Sequence, residues 1–363
     1  MKARQPCRGG AVEFDEVDAG SYTVKVWASK GGEICGVGKN SVEVSAGESA
    51  PCEIKMRTAY SASAAASYIQ GLDGGDVYKV IVAGPADDNA IAGIKAALAK
   101  NNMNGTVALD LSWTTGLTEI AGLENNGAFE DCARLSSVVL PEGMTAIGKR
   151  AFFCCEALKN VVIPYGVTEI KENAFWYCES LASVEIPNSV TTLGKSAFTG
   201  CSALDLKIPE SVKRIGDGAL KITGISSIDL EKVTYDFVSF EGCSKLLNIT
   251  IPASETRIYN RAFLSCESLE TVTILGDLTD VDEQNLAIGR VAFSGCENLQ
   301  TITFRGKITG TIGDNAFLNC SALTTVNYGG SQDSWSNIDF GTGNELLKNA
   351  AKIICSDGTI TNP

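Results

Sequence analysis

Thirteen cysteines stand in a chain of 363 residues that contains no histidine. Eight of them occupy one position of a repeated phrase: Cys132, Cys155, Cys178, Cys201, Cys243, Cys266, Cys296 and Cys320. Thiols in such a column can ligate a metal, pair as disulfides, attack an electrophile or simply fill space. Their spacing is too long for a zinc knuckle and no Cys-x-x-Cys pair occurs. Without histidine the commonest general base and the commonest zinc ligand are both missing. We favour small, buried, reduced thiols acting as apolar fillers. Disulfides remain the alternative, because neighbouring rungs would lie within bridging reach. Cys154 should face outward by alternation, and Cys7, Cys35 and Cys52 are placed to form one bridge among themselves.

Other chemistry is sparse. Asp277, Asp280, Asp282 and Glu283 sit in a seven-residue insertion where oxygen ligands could gather around calcium, but the spacing is not that of an EF-hand and a solvated loop is the expectation. There is no Gly-x-Ser-x-Gly elbow, no phosphate loop, and no paired environment for the carboxylates. These absences argue against an enzyme and predict no cofactor and no metal. Trp176 and Tyr177, beside Phe175, could form an aromatic patch on a turn, for partner contact or for packing.

The elements that must position these residues are set by a period of about 23 residues. Its aromatic position falls at Phe129, Phe152, Phe175, Phe198, Leu220, Phe240, Phe263, Phe293 and Phe317, with spacings of 23, 23, 23, 22, 20, 23, 30 and 24. A fixed period of that length predicts a solenoid. In each coil Leu-x-x-Val-x-Ile reads as a short strand with Val and Ile inward, and Pro141, Pro164, Pro187, Pro209 and Pro252 close strand ends. The alanine before each phenylalanine (Ala151, Ala174, Ala197, Ala262, Ala292, Ala316) leaves room for the next coil.

Residues 1–58 alternate apolar and polar at Tyr22, Val24 and Val26, then Val42 and Val44, then Ile54 and Met56. They read as a small β-sandwich-like module, similar to immunoglobulin-like or prealbumin-like modules, with about four strands. Residues 59–112 combine a low-complexity Ser/Ala lead-in at 61–67 with a β-α-β unit: a strand at 77–82, a helix capped by Asp87, Asp88 and Asn89, and a strand at 107–111. That unit should cap the open edge of the first coil. Coils fill 113–328, and Trp335, Ile338, Phe340, Leu346 and Leu347 mark a closing cap over 329–363.

The phrase Ala-Phe-x-x-Cys-x-x-Leu-x-x-Val-x-Ile-Pro-x-x-Val-x-x-Ile, clean from Ala151 to Ile170 and from Ala174 to Leu193, resembles the BspA-like, Treponema-type leucine-rich repeats. The resemblance implies a right-handed α/β repeat solenoid with a parallel β-sheet on one face. It also implies a surface or secreted protein of a host-associated microbe that attaches to host proteins or other cells, and it offers no catalytic residues to carry over. The chain departs from the pattern at 210–242, where Ala219-Leu220 replaces Ala-Phe, and at 275–290.

Outward-facing strand positions are the candidate binding surface: Ser137, Val139, Asn160, Val162, Ser183, Glu185, Asp205, Lys207, Ser227, Asp229, Asn248, Thr250, Thr271, Thr273, Thr301, Thr303, Thr325 and Asn327. Hydroxyls and amides dominate, which suits a polar platform for a protein or a glycan, and equally suits threonine's liking for exposed strands. The net charge of −13 repels phosphate backbones, so nucleic acid and anionic membrane are poor partners. No apolar run is long enough to span a bilayer, and a monomer at the cell surface or outside it is the expected state.

Overall fold

The protein is described by a computed structural model covering residues 20–30, 33–44, 57–72, 77–99, 105–122, 126–235, 239–279 and 286–362. The repeats stack as a parallel-strand solenoid. One sheet takes, in spatial order, Ser183–Glu185, Asn160–Val162, Leu135–Val139, Thr106–Thr115 and Val77–Pro85. A second, on later coils, takes Asn248–Ile251, Thr271–Ile274, Thr301–Phe304, Thr325–Tyr328, Lys352–Cys355 and Gly358–Thr361. A further ladder of two-residue parallel strands runs from Glu119–Ile120 through Ala146–Ile147, Glu169–Ile170, Thr192–Leu193 and Arg214–Ile215 to Thr234–Tyr235. Among the described residues the coils close through tight turns, with one 3-10 turn at Leu230–Lys232, and the α-helices lie toward the two ends.

The period of two within each strand decides what is inside. Val161, Val184, Ile249, Val272, Ile302 and Val326 are all buried, as are the leucines that precede them. Opposite the strands the phenylalanines form two runs of offset stacks, Phe129 to Phe198 and Phe240 to Phe317, with centroids 5.0 to 5.6 Å apart and rings within 19° of parallel. Each ring is held in register by its own backbone. Phe152 N–H donates to Ala174 O at 2.7 Å and Phe175 N–H to Ala197 O at 2.8 Å, a contact that only a small residue at the alanine position leaves open.

Closing a coil this tightly needs left-handed backbone two residues before and two residues after the phenylalanine. Glycine fills some of these positions, such as Gly200 and Gly295, but side-chain-bearing residues fill most, from Arg150 and Asn173 to Ser265 and Asn319. Ile222 (φ 51°) and Val291 (φ 49°) are β-branched, for which this region is costly.

At the amino end Gly20–Lys30 and Glu33–Val44 form an antiparallel hairpin, with Arg57–Thr58 as a third strand. Of the alternation read there, Ile54 and Met56 lie outside the described residues, as do Cys7 and Cys52 of the suggested bridge. The Ser/Ala run read as a lead-in is a helix, α1 (Ala62–Gln70), whose N-cap Ser61 accepts a hydrogen bond from Ala64 N–H. Ala62, Ala65, Ala66 and Ile69 give it a narrow buried face, and small residues let it lie close against α2 (Asp88–Leu98), where Gly93 faces Ala66. Helix α2 begins where expected: Asp87 accepts from Ala90 N–H, and Ile91, Ile94, Ala97 and Leu98 are buried. At the other end α3 (Gln332–Ser336) and α4 (Glu345–Lys348) bury Trp335 and Leu347. Leu346 departs from the expected cap core: it is 41% exposed, because it sits one position off the buried side of a single helical turn.

The regular stacking fails in one coil. Residues 203–229 contribute no strand to either large sheet. Leu220 interrupts the phenylalanine stack, Thr223 replaces the cysteine, and Ser226 hangs from the Asp205 carboxylate (3.3 Å from its N–H, 3.1 Å from its hydroxyl) where a strand ladder would otherwise run.

Candidate functional site

The thiol column is the first chemistry the sequence offered, and its geometry is structural. Seven of the eight column thiols donate to the carbonyl oxygen at the aromatic position of the preceding coil, among them Cys155 to Phe129 (2.9 Å), Cys178 to Phe152 (3.0 Å), Cys201 to Phe175 (3.0 Å) and Cys266 to Phe240 (3.1 Å); Cys132, on the first coil, turns to Lys95 O of the preceding helix at 3.9 Å. Ten cysteines among the described residues are free thiols, eight of them the column. Burial pushes Cys132 and Cys320 up to about 12 and raises Cys155, Cys178, Cys266 and Cys296 well above the ordinary thiol value, so none is a ready thiolate. Cys154 is half-buried, and it too is raised, by burial first and then by the charge of Asp131. Of the acidic insertion, Asp280, Asp282 and Glu283 lie outside the described residues, while Asp277 accepts from Lys307 N–H at 2.7 Å and so ties one coil to the next.

The outward strand positions divide into two groups. On the first sheet Asn160, Val162, Ser183 and Glu185 are exposed, and Ser183 pairs in register with Asn160 and Glu185 with Val162. On the second sheet register sets eight side chains in two straight files. One file is Asn248, Thr271, Thr301 and Thr325; the other is Thr250, Thr273, Thr303 and Asn327. The files are braced from within, since Thr271 Oγ1 donates to Asn248 Oδ1 at 2.5 Å and Asn327 Nδ2 to Thr303 Oγ1 at 3.0 Å. Asp205, Lys207, Ser227 and Asp229 are exposed but stand on the irregular coil between the sheets and join neither file.

Tyr165 was not among the candidates. It follows Pro164 at the end of a strand and is 80% exposed, on the same coil as Val162 at 52%. The signal was available, because other coils carry Glu142, Asn188, Glu210 or Ala253 at that place. On the turn side Trp176 stacks on Phe153 at 4.4 Å, the Arg150 guanidinium covers the Phe153 ring at 3.6 Å, and Tyr177 leans on Trp176 at 4.1 Å. A Cβ on Gly200 would come within 2.7 Å of the Tyr177 ring, so the glycine lets that ring lie flat. These aromatics are largely occupied with one another.

Ion pairs join successive coils along the side of the solenoid. Glu130, almost fully buried, accepts from Arg150 and from Gly127 N–H at 2.8 Å. Burial alone would raise its carboxyl; the Arg150 and Gly127 hydrogen bonds and the charges of Arg150 and Lys95 outweigh that and hold it below the usual carboxylate range. Lys221 with Glu241 (3.1 Å) repeats the theme at a more exposed site, and Lys171 with Glu119 (2.7 Å) reaches across one intervening coil. Among the described residues no cluster of three or more metal-ligating side chains forms, and no helix is long and apolar enough to cross a membrane. On the second sheet the outward groups are neutral hydrogen-bonding side chains held in register by the strands beneath them.

No curated protein matches the chain. Among solved structures it is similar to the T. pallidum leucine rich repeat protein, with 25% identity over 52% of this chain and 78% of that one and a TM-score of 0.32. A leucine rich cell surface protein from Faecalibacterium prausnitzii aligns with 19% identity over 86% of this chain and 97% of that one, at a TM-score of 0.40. A leucine-rich repeat protein from Eubacterium ventriosum aligns with 20% identity over 75% and 90%, at 0.34. The family described as BspA type leucine rich repeat region matches in overlapping segments, 124–237, 168–287 and 233–342. Those segments span well over half of the chain and coincide with the stacked coils, so the chain belongs to the BspA-type leucine-rich repeat family.

Proposed function

We propose that this protein is a non-enzymatic binding and adhesion scaffold, secreted or held at the cell surface of a host-associated microbe, that recognises a protein or glycan through the outward faces of its coils. One observation carries the reading: the inward strand positions are confined to a few apolar types while the outward ones range from Val162, Ser183 and Glu185 on the first sheet to the threonine and asparagine files on the second, so the core is indifferent to what the face displays. Ser183, Glu185, Asp205, Lys207 and the eight side chains of the two files are the contact residues of this proposal. The partner is a host or microbial surface molecule, bound by a monomer without nucleic acid or cofactor.

A second reading has its own support. The hairpin that precedes the solenoid touches it through Val37, which is buried with Ala59 and Ala83 against Ile81 and Trp113. A spacer that displays a β module over residues 1–58 would need such an anchored base. Screening the intact chain against extracellular-matrix proteins and glycans, then repeating the best hit with outward residues substituted and with whole coils deleted, separates the two. A binding scaffold loses affinity when particular outward residues change; a spacer tolerates those changes and responds only to length.

A further inference from the structure

The two files of the second sheet differ from the rest of the surface. The chain carries a net charge of −13, yet none of the eight side chains in the files is charged. Successive strands of a sheet lie about 4.8 Å apart, and alternate residues of one strand about 7 Å apart. The files therefore form a grid of hydroxyl and amide groups, two per coil over four coils. Internal hydrogen bonds fix several members before any ligand arrives. Thr271 gives its proton to Asn248 and keeps its lone pairs free, whereas Thr303 receives from Asn327 and keeps its own proton to give. Such a surface is both donor and acceptor, neutral, and prepaid in side-chain entropy.

Resting on the outward-face reading above, we propose that this grid binds a neutral, linear, β-linked glycan laid along the solenoid axis, one sugar to each coil. A β-linked sugar advances by nearly the distance between adjacent strands, and its hydroxyls project from both edges of the chain, toward the two files. A nucleic acid or a uronic-acid polymer would bring charge that no group of the grid can answer. A stacked-aromatic sugar platform is absent from the files, so affinity comes from repetition and grows with the number of sugars engaged. Lys352 ends one file and Ile354 the other, which sets the far limit of the grid.

The test titrates the intact chain with β-1,4-linked glucose, mannose and xylose oligomers of increasing length, by calorimetry. For at least one series affinity should climb with each added sugar until about four are bound, matching the coils of the grid, and then level off. Thr273→Lys combined with Thr303→Lys should weaken that binding at least tenfold with the melting temperature unchanged, and Glu156→Lys combined with Glu179→Lys, at exposed turn positions outside the binding face, should leave it intact. Failure of all three series to bind, affinity independent of length, or equal loss from the Glu156 and Glu179 changes would overturn the inference. If the paired lysines abolish capture of a protein ligand while no oligomer binds, the glycan assignment falls and the outward-face reading stands.

Discussion

The thiol of Cys178 lies 3.0 Å from the carbonyl oxygen of Phe152, one coil earlier, and that same oxygen also accepts the Cys178 coil's counterpart below, the N–H of Cys155, at 3.2 Å. One atom thus joins the turn of its own coil to the core of the next. The cysteine column is small enough to pack and still able to donate, which alanine and valine cannot do together.

Cys266→Ala should therefore lower stability by about 1–3 kcal/mol, from lost volume and from a carbonyl left with one partner fewer. Thermal melts of Cys266→Ala and Cys266→Val, side by side, check this. Equal stability of valine and cysteine would show that filling alone matters and that the thiol proton contributes nothing.

Alkaline pH should unfold the protein cooperatively. A thiol whose folded pKa is raised holds its proton more firmly when folded, so its stabilisation is complete below the unfolded value and drains as pH rises toward the folded one. The window opens near pH 8.5, the ordinary thiol value, and runs to about 12 for Cys132 and Cys320. Within it each of the raised thiols, Cys132, Cys155, Cys178, Cys266, Cys296 and Cys320, removes up to about 1.4 kcal/mol per pH unit. Denaturant titrations at pH 7, 9 and 10.5 should show a steep decline, which a Cys155→Ala, Cys178→Ala chain would show less steeply; a flat profile would mean that the column is solvent-accessible.

Left-handed backbone at β-branched residues offers the opposite sign. Val291→Gly should raise stability by about 1 kcal/mol or leave it level, since glycine occupies the equivalent place, two residues before the aromatic position, at Gly218. Gly200→Val should cost more than that gain, because the new side chain meets the Tyr177 ring as well as the unfavourable φ of 82°. Melting temperatures of both variants decide it, and a destabilised Val291→Gly would refute the strain argument.

The irregular coil should be the weakest link. Phe175→Ala removes a ring stacked on both sides and should cost about 3–5 kcal/mol. Native-state hydrogen exchange should find the lowest protection of any coil at 203–229, where three columns change at once. Protection there equal to that of 248–274 would show that side-chain links such as Asp205 to Ser226 replace the strand in full.

Much of this was legible in the sequence because the period of the coil and the period of two within a strand are both strict. Phe152 and Cys155 were placed inside, and Thr271 and Thr273 outside, by counting alone. Helix α1 was missed although Ala62, Ala65, Ala66 and Ile69 already carry helical spacing, because alanine contributes little contrast to a hydrophobic pattern. The left-handed positions were hidden for a different reason: Arg150 and Val291 lack the glycine that advertises such backbone, and only the closure of the stacked coil demands it. The departure at 210–242 was legible in Ala219-Leu220, whereas the absence of a large-sheet strand at 203–229, where only Arg214–Ile215 of the short ladder remains, was not. Tyr165 escaped because alternation looks along the strand and the tyrosine sits just past its end.

The most direct measurement sets one strand against itself, comparing Val272→Lys with Thr273→Lys in the intact chain by thermal melt and by binding to whichever ligand the screen returns. The outward lysine should leave the melt unmoved and weaken binding at least tenfold, while the inward one, a charge forced among Ile249, Ile302 and the phenylalanine stack, should unfold the coil. Similar melts for both, or undiminished binding with lysine at 273, would contradict a face that is chemically free because the core beneath it is closed.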